Sequence, residues 1–113
     1  MAKPDPQKDR NVWVASVRPD GRPHLVPVWF VVADGKWYIT TAPGSVKARN
    51  LQASAKIALA LENGDNPYVV EGEAQAVKPS KEVVRLFKEK YDWNIETDAY
   101  YTQTFEVVVR KKV

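Results

Sequence analysis

Short runs of apolar and β-branched residues, separated by turn residues, predict a mainly β protein. Residues 12–17 form the first run, and residues 24–33 form a second run that is apolar at nearly every position. Asp34-Gly35 joins this run to a third at residues 36–41, and such a pair is typical of a tight β-hairpin. Further runs at residues 56–61, 68–77 and 105–109 complete six predicted strands.

The second predicted strand, residues 24–33, has no polar face, so both of its faces need to be covered. One face can fill the interior of a barrel, and a second copy of this small chain is the simplest cover for the other. Six strands in meander order predict a closed or nearly closed small barrel, because a flat sheet would leave an apolar face in water.

Two serines mark the starts of two predicted helices. Ser45 is the predicted N-cap of a short helix that ends near residue 53, and Ser80 opens a helix that ends near residue 91. In the second helix, the apolar side chains share one face: Val83, Val84, Phe87 and Tyr91. The loop at residues 92–102 carries three aromatic residues that either form the wall of a partner's cleft or, as we favour, cover the end of the barrel: Trp93, Tyr100 and Tyr101.

The length of 113 residues suits one domain, in which residues 1–10 are predicted to be a loose N-terminal tail. The chain has no cysteine and one histidine, which excludes disulfides and thiolate metal sites and argues against a zinc site. It shows neither a signal peptide nor an apolar stretch of about 20 residues, so we expect a soluble cytoplasmic protein without membrane contact. The net charge of +3 is better explained by a solvated surface than by a nucleic-acid-binding one.

The segment from Thr40 to Asn50 carries the candidate chemistry. A predicted strand ends in Thr40 and Thr41, the chain turns, and the first helix begins at Ser45 with Lys47 close behind. Free N–H groups and partial positive charge at a helix start favour an anion. Thr41, Ser45 and Lys47 therefore form a candidate phosphate site. The alternative is that Ser45 only caps the helix and Lys47 is a solvated surface lysine.

Four blocks of sequence in register resemble the pyridoxamine 5′-phosphate oxidase-like family of flavoproteins. They are residues 18–30 (RPDGRPHLVPVWF), 37–41 (WYITT), 44–51 (GSVKARNL) and 69–74 (VVEGEA). The resemblance implies a six-stranded split β-barrel of Greek-key type with two short helices. It also implies a homodimer formed across strands two and three, with two flavin phosphates in the dimer cleft.

The resemblance also implies which residues bind the cofactor, FMN or alternatively the deazaflavin coenzyme F-420. The strand that carries Val26, Pro27, Val28 and Trp29 would pass along the flavin ring, largely through backbone groups. Thr40 and Thr41 would contact ribityl or phosphate oxygens, and Ser45, Val46 and Lys47 would hold the phosphate. Asn50 completes the set of candidate cofactor-binding residues and is expected to face the strand ends.

Three departures from the oxidases of this family are visible. Val46 stands where many of them have a second basic residue, and His24 where they have a phosphate-binding arginine. Their C-terminal Arg and His, which hold pyridoxal phosphate, have no counterpart before Val113. The chain therefore resembles the short bacterial branch of the family more than pyridoxamine phosphate oxidase itself, and Arg49 or His24 could supply the missing charge.

We therefore expect a flavin-dependent oxidoreductase that transfers hydride or electrons to or from a small organic substrate, with no catalytic side chain assigned, because the flavin supplies the chemistry. One alternative is a flavin- or haem-binding protein without turnover, and another is a small barrel that binds single-stranded nucleic acid. His24 is more readily explained as structural than as catalytic. Trp29 is assigned equally to shielding of the flavin and to a dimer core. Glu71 and Glu73 are expected on a solvated face.

Overall fold

The computed structural model describes residues 3–113, which form a mainly β domain of seven antiparallel strands with two α-helices. The strands are β1 (Val12–Val17), β2 (Pro23–Val28), β3 (Phe30–Ala33), β4 (Lys36–Thr41), β5 (Lys56–Leu61), β6 (Val69–Val77) and β7 (Gln103–Lys112). The helices are α1 (Val46–Ala53) and α2 (Lys81–Tyr91), followed by a short 3₁₀ helix at Ile95–Thr97. The predicted helices are confirmed, with Ser45 and Ser80 as their N-caps.

The prediction of one continuous second strand is wrong, because the chain breaks at Trp29 into β2 and β3. The Tyr91 hydroxyl lies at this break. It accepts a hydrogen bond from the Phe30 N–H at 2.9 Å and lies 2.8 Å from the Phe30 carbonyl oxygen, to which it can donate. The Tyr91 side chain of α2 therefore provides hydrogen-bond partners for the backbone beside the break. Because of this break, the number of strands is seven and not the predicted six.

The predicted meander order is also wrong, because the strands lie in the order β2-β1-β5-β6-β7-β4-β3. The two edge strands, β2 and β3, follow each other in the chain with only Trp29 between them. The two edges therefore lie within about 7 Å of each other at this residue. The sheet must curl to bring them together, which forms the split barrel.

The inner face of the curled sheet holds the main hydrophobic core. Val12 and Val14 of β1 are fully buried there, as are Phe30 of β3 and Ile39 of β4. Helix α1 closes one end of this core, since its Ala48 and Leu51 belong to the same cluster.

The outer face of β3 is covered by α2 and not by a second copy of the chain. Val31 of β3 packs in a separate buried cluster with residues of α2 and the following loop: Val83, Phe87, Tyr91 and Ile95. Our expectation that this apolar strand needs an external partner along its whole length therefore does not hold for the β3 half. Its β2 half does remain open.

An outer apolar strip runs along β1 and β2 and consists of Trp13, Val17, Pro23, Leu25 and Pro27. The register pairs Trp13 with Pro27 and Val17 with Pro23, which places them on the same face. Leu25 is 59% exposed, Val17 50% and Trp13 39%. This strip is the apolar surface of the sheet that no helix covers within the described residues.

The N-terminal residues that the structure describes lie against α2 and the break in the sheet. Lys90 Nζ donates to the Pro6 carbonyl oxygen at 3.3 Å and to that of Phe30 at 3.1 Å. The Tyr91 hydroxyl also lies 2.8 Å from the carbonyl oxygen of Arg10. Neither helix within residues 3–113 is long and apolar enough to cross a lipid bilayer.

A β-bulge between Glu71 and Gly72 shifts the register of β6 against β7. At Gly72 the backbone of β7 approaches so closely that a Cβ atom would overlap the carbonyl oxygen of Val108. A glycine is therefore required here for space, which is common where two backbones approach closely at a bulge. Glu71 and Glu73 both lie exposed, as expected, and Glu73 pairs with Arg110.

Candidate functional site

The start of α1 is organised by Ser45. Its Oγ accepts a hydrogen bond from the Ala48 N–H at 3.2 Å and lies 3.1 Å from Oγ1 of Thr41. Thr41 is only 1% exposed. Both hydroxyls therefore hold the end of β4 against the start of α1. The N–H groups of Val46 and Lys47 lie in the first helical turn, which has no intrahelical acceptor for them.

Lys47 is about half-buried, and this burial lowers the pKa of its ammonium group below the ordinary value. Among residues 3–113, no carboxylate or other acceptor pairs with this ammonium group. A partly desolvated cation without a partner is unfavourable, and an anion placed beside it would relieve the cost. The structure thus differs from the alternative in which Lys47 is a fully solvated lysine.

A cleft of about 350 Å³ lies between the β2–β3 junction, the end of β4, the first turn of α1 and the loop before β7. Its lining residues are Pro27, Val28, Trp29, Thr40, Lys47, Trp93, Asp98 and Tyr101. Five of the ten residues that the sequence nominated for the cofactor therefore line one cleft. A mainly apolar cavity with a few polar groups is typical of small-molecule sites.

The other five nominated residues do not line this cleft. Val26 lies half-buried on β2 opposite Val14, and Val46 is half-buried at the start of α1. Asn50 is buried and donates from Nδ2 to Ser16 Oγ at 3.1 Å, which ties α1 to β1. Thr41 is buried beneath α1, and Ser45 lines a neighbouring cleft of about 470 Å³ together with Tyr100.

The far wall of the cleft is the loop that carries Trp93, Asp98 and Tyr101. The Asp98 carboxylate accepts hydrogen bonds from the Tyr101 N–H at 2.8 Å and from Trp93 Nε1 at 3.0 Å. These bonds, the backbone bond from Tyr101 first, hold the pKa of Asp98 below its usual value. Our favoured interpretation of these aromatic residues as a cover for the barrel end missed this wall. The sequence signal that could have indicated this wall is the presence of three aromatic residues in an otherwise polar loop.

Trp29 lies at the mouth of the cleft with its ring held in place. It stacks on Tyr91 with 4.5 Å between ring centroids and an interplanar angle of 8°. The Arg10 guanidinium lies 4.7 Å from the Trp29 ring centroid, and Trp93 meets this ring edge-on at 5.8 Å. Trp29 is still 36% exposed and lines the cleft, so it offers a fixed aromatic surface to a ligand.

His24 lies on the same side of β2 as Val26 and Val28, opposite Ser16 of β1. Its Nδ1 atom is buried and has no hydrogen-bond partner among residues 3–113. Burial, followed by the positive charges of Arg18 and Lys47, lowers the pKa of this imidazole. The positive charge of the unpaired Lys47 therefore reaches the His24 ring. Within residues 3–113, no cluster of three or more metal-ligating side chains is present.

The sequence profile described as pyridoxamine 5′-phosphate oxidase matches residues 4–111. The chain belongs to this family. A search of curated proteins finds no significant match. Solved structures of the same split-barrel fold extend the comparison, and each is similar to nearly the whole chain.

The haem storage protein HutZ from Vibrio cholerae has a TM-score of 0.79 at 16% identity, with coverage of 93% of this chain and 84% of HutZ. A conserved hypothetical protein from Mycobacterium tuberculosis has a TM-score of 0.76 at 26% identity, with coverage of 94% and 76%. An F-420 reductase has a TM-score of 0.71 at 24% identity, with coverage of 96% and 90%. The split-barrel fold is thus shared by proteins named for different ligands.

Proposed function

We propose that this protein is a flavin-dependent oxidoreductase that binds FMN, or alternatively coenzyme F-420, and acts on a small organic substrate. The observation that carries the proposal is the half-buried, unpaired Lys47 at an apolar, aromatic-lined cleft. Such a cleft fits a planar ring with an anionic tail. The similarity to an F-420 reductase supports the same class of cofactor.

The residues present suit the two parts of a flavin. Lys47 and the first-turn N–H groups of α1 supply positive charge and hydrogen-bond donors for the phosphate. The Pro27–Val28 backbone borders the cleft at the edge of the sheet, where groups are free to contact a ring. Trp29 and Tyr101 contribute aromatic surface that excludes water.

A bound flavin supplies hydride or electron transfer at its ring, so the protein itself needs no nucleophile or metal for this chemistry. The chain's residues bind and orient the ring and keep water away from it. Asp98 is held as a carboxylate by its three donors, so it is a structural anchor and not a proton donor. We therefore assign no catalytic side chain.

The proposal includes a homodimer that packs through the outer apolar strip. Because α2 covers the outer face of β3, a second copy has this strip of β1 and β2 available. Trp13 and Leu25 are large apolar side chains in water, and surfaces of this kind commonly mark interfaces. The strip shares Pro27 with the cleft, so a second copy would narrow the cleft and remove it further from solvent.

A second candidate is a haem- or flavin-binding protein without turnover. The similarity to HutZ favours it, together with the absence of an assigned acid or base in the cleft. Binding of haem would shift and sharpen its Soret band on titration, whereas binding of FMN would quench flavin fluorescence. Turnover with a nicotinamide donor or reduced F-420 would then separate an enzyme from a carrier.

The decisive experiment is titration of the full chain and of Lys47→Met with FMN, riboflavin and F-420. A charge-assisted contact to phosphate contributes about 1.5–3 kcal/mol, so Lys47→Met should bind FMN at least about tenfold more weakly. Riboflavin lacks the phosphate, and its affinity should not change. Lys56→Met, at an exposed lysine on β5, is the matched control and should bind FMN as the parent does. No saturable signal with FMN or F-420 would contradict the proposal.

A further inference from the structure

His24 and Lys47 are brought together by the contact between β1 and α1. Asn50 of α1 donates to Ser16 of β1, and Ser16 is the register partner of His24 on β2. Lys47 lies three residues before Asn50 and therefore shares its helical face. This arrangement places His24 near the helical turn that carries Lys47. The effect of the Lys47 charge on the His24 ring agrees with that placement.

The surroundings of His24 are cationic. Arg18 lies in the turn before β2, where its guanidinium donates to the Pro23 carbonyl oxygen at 2.7 Å, and Lys47 lies on α1. Among residues 3–113, these two are the charged groups that act on His24, and neither is a carboxylate. The enclosed Nδ1 has no hydrogen-bond partner among residues 3–113. Burial and these two cations therefore favour the neutral ring in the free protein.

We propose that His24 takes up a proton when a phosphate group binds beside Lys47, so that His24 couples phosphate binding to pH. The inference rests on the proposed function, since it concerns the phosphate end of the same cleft. A phosphate carries about −1.5 to −2 charges at neutral pH, which is enough to offset the two neighbouring cations. The proton comes from solvent and adds to the free ring nitrogen, with no other bond changed.

The coupling follows from linkage. An anion that raises the proton affinity of His24 must itself bind more tightly when His24 is protonated. Phosphate affinity therefore rises as the pH falls through the titration of His24. Without an anion, burial and the two cations lower the pKa of His24 and favour the neutral ring.

The single histidine allows a direct test by proton NMR on protein without a histidine tag, because the imidazole Cε1 proton is one resolved signal. The titration is recorded for free protein, with saturating FMN and with saturating riboflavin. We expect the midpoint to move to higher pH with FMN and to stay in place with riboflavin. In free Lys47→Met the midpoint should also move to higher pH, while free Lys56→Met should match the parent.

A second measurement compares FMN affinity at pH 8 and pH 6 in the parent and in His24→Asn. The ratio of the parent's FMN affinity to that of the variant should be about threefold or more higher at pH 6 than at pH 8. Protonation of the FMN phosphate affects both proteins equally and therefore cancels in this ratio. Saturation by FMN without a change in the His24 midpoint overturns this inference and leaves the proposed function standing. Failure of both FMN and F-420 to saturate the protein at any pH overturns both.

Discussion

The strand break at Trp29 gives the sharpest test of how this fold is held, through the substitution Tyr91→Phe. The Tyr91 hydroxyl accepts a hydrogen bond from the Phe30 N–H. It also lies 2.8 Å from the carbonyl oxygens of Phe30 and Arg10, and it can donate to one of them at a time. Burial raises the pKa of this hydroxyl to about 12, so it stays protonated at all ordinary pH values. Phenylalanine keeps the ring, its packing on Phe87 and its stacking on Trp29.

The expected cost follows from what remains unpaired. Phe30 is fully buried, so its N–H group cannot turn to water when the hydroxyl is removed. An unsatisfied buried backbone donor costs about 1–3 kcal/mol, and a lost net hydrogen bond about 1 kcal/mol. Because the ring volume is unchanged, no cavity cost is added. We therefore expect Tyr91→Phe to lower the free energy of unfolding by about 1–3 kcal/mol.

The assay is urea unfolding followed by far-UV circular dichroism, at equal protein concentrations because a dimer's stability depends on concentration. Tyr100→Phe is the matched control, since this tyrosine is 68% exposed and its hydroxyl has no hydrogen bond within residues 3–113. The control should unfold with the parent. If Tyr91→Phe also unfolds within about 0.3 kcal/mol of the parent, the hydroxyl does not hold the break and our account of it is wrong.

Three further predictions test other parts of the structure. Gly72→Ala should lower the free energy of unfolding by about 1–3 kcal/mol in the same urea assay, because its Cβ would overlap the Val108 carbonyl oxygen. Gly64→Ala is the control, and its free energy of unfolding should change little because the space around Gly64 is open. Burial lowers the pKa of Lys90 to about 8. The unfolded chain therefore binds more protons above this pH, and the parent's stability should rise from pH 8 to 9.5 relative to Lys90→Met; parallel curves would contradict this. Leu25→Glu should shift the protein from dimer to monomer in sedimentation while its circular dichroism is retained, and an unshifted dimer would place the interface elsewhere.

Much of the local structure follows from residues that are close in the chain. Ser45 and Ser80 cap their helices because a serine side chain can accept from an N–H three residues ahead without any tertiary contact. Asp34-Gly35 makes its hairpin for a similar reason, since both residues adopt the positive φ that the turn needs. The alternation of β5 likewise predicts its bounds at Lys56–Leu61.

The sequence pattern also identified the cleft in part, since Thr40 and Lys47 lie at ends of elements that local signals mark well, whereas Val28 was nominated by the family resemblance. The loop wall of Trp93 and Tyr101 was not assigned to it. Asp98 accepts from the Trp93 side chain and from the Tyr101 backbone, and no periodicity in the sequence reports such bonds. The contact of Trp93 with Trp29, which is distant in the chain, was also beyond what local pattern could supply.

The sequence by itself determined most strand and helix segments and the position of the basic turn, because capping, turn chemistry and apolar alternation act over a few residues, and its four blocks of resemblance identified the family. Tertiary structure alone decided that residues 24–33 divide at Trp29, that α2 covers β3, and that Lys47 lies half-buried beside His24. An apolar run has the same pattern whether a helix or another chain covers it. Only the folded sheet shows which surface each side chain faces.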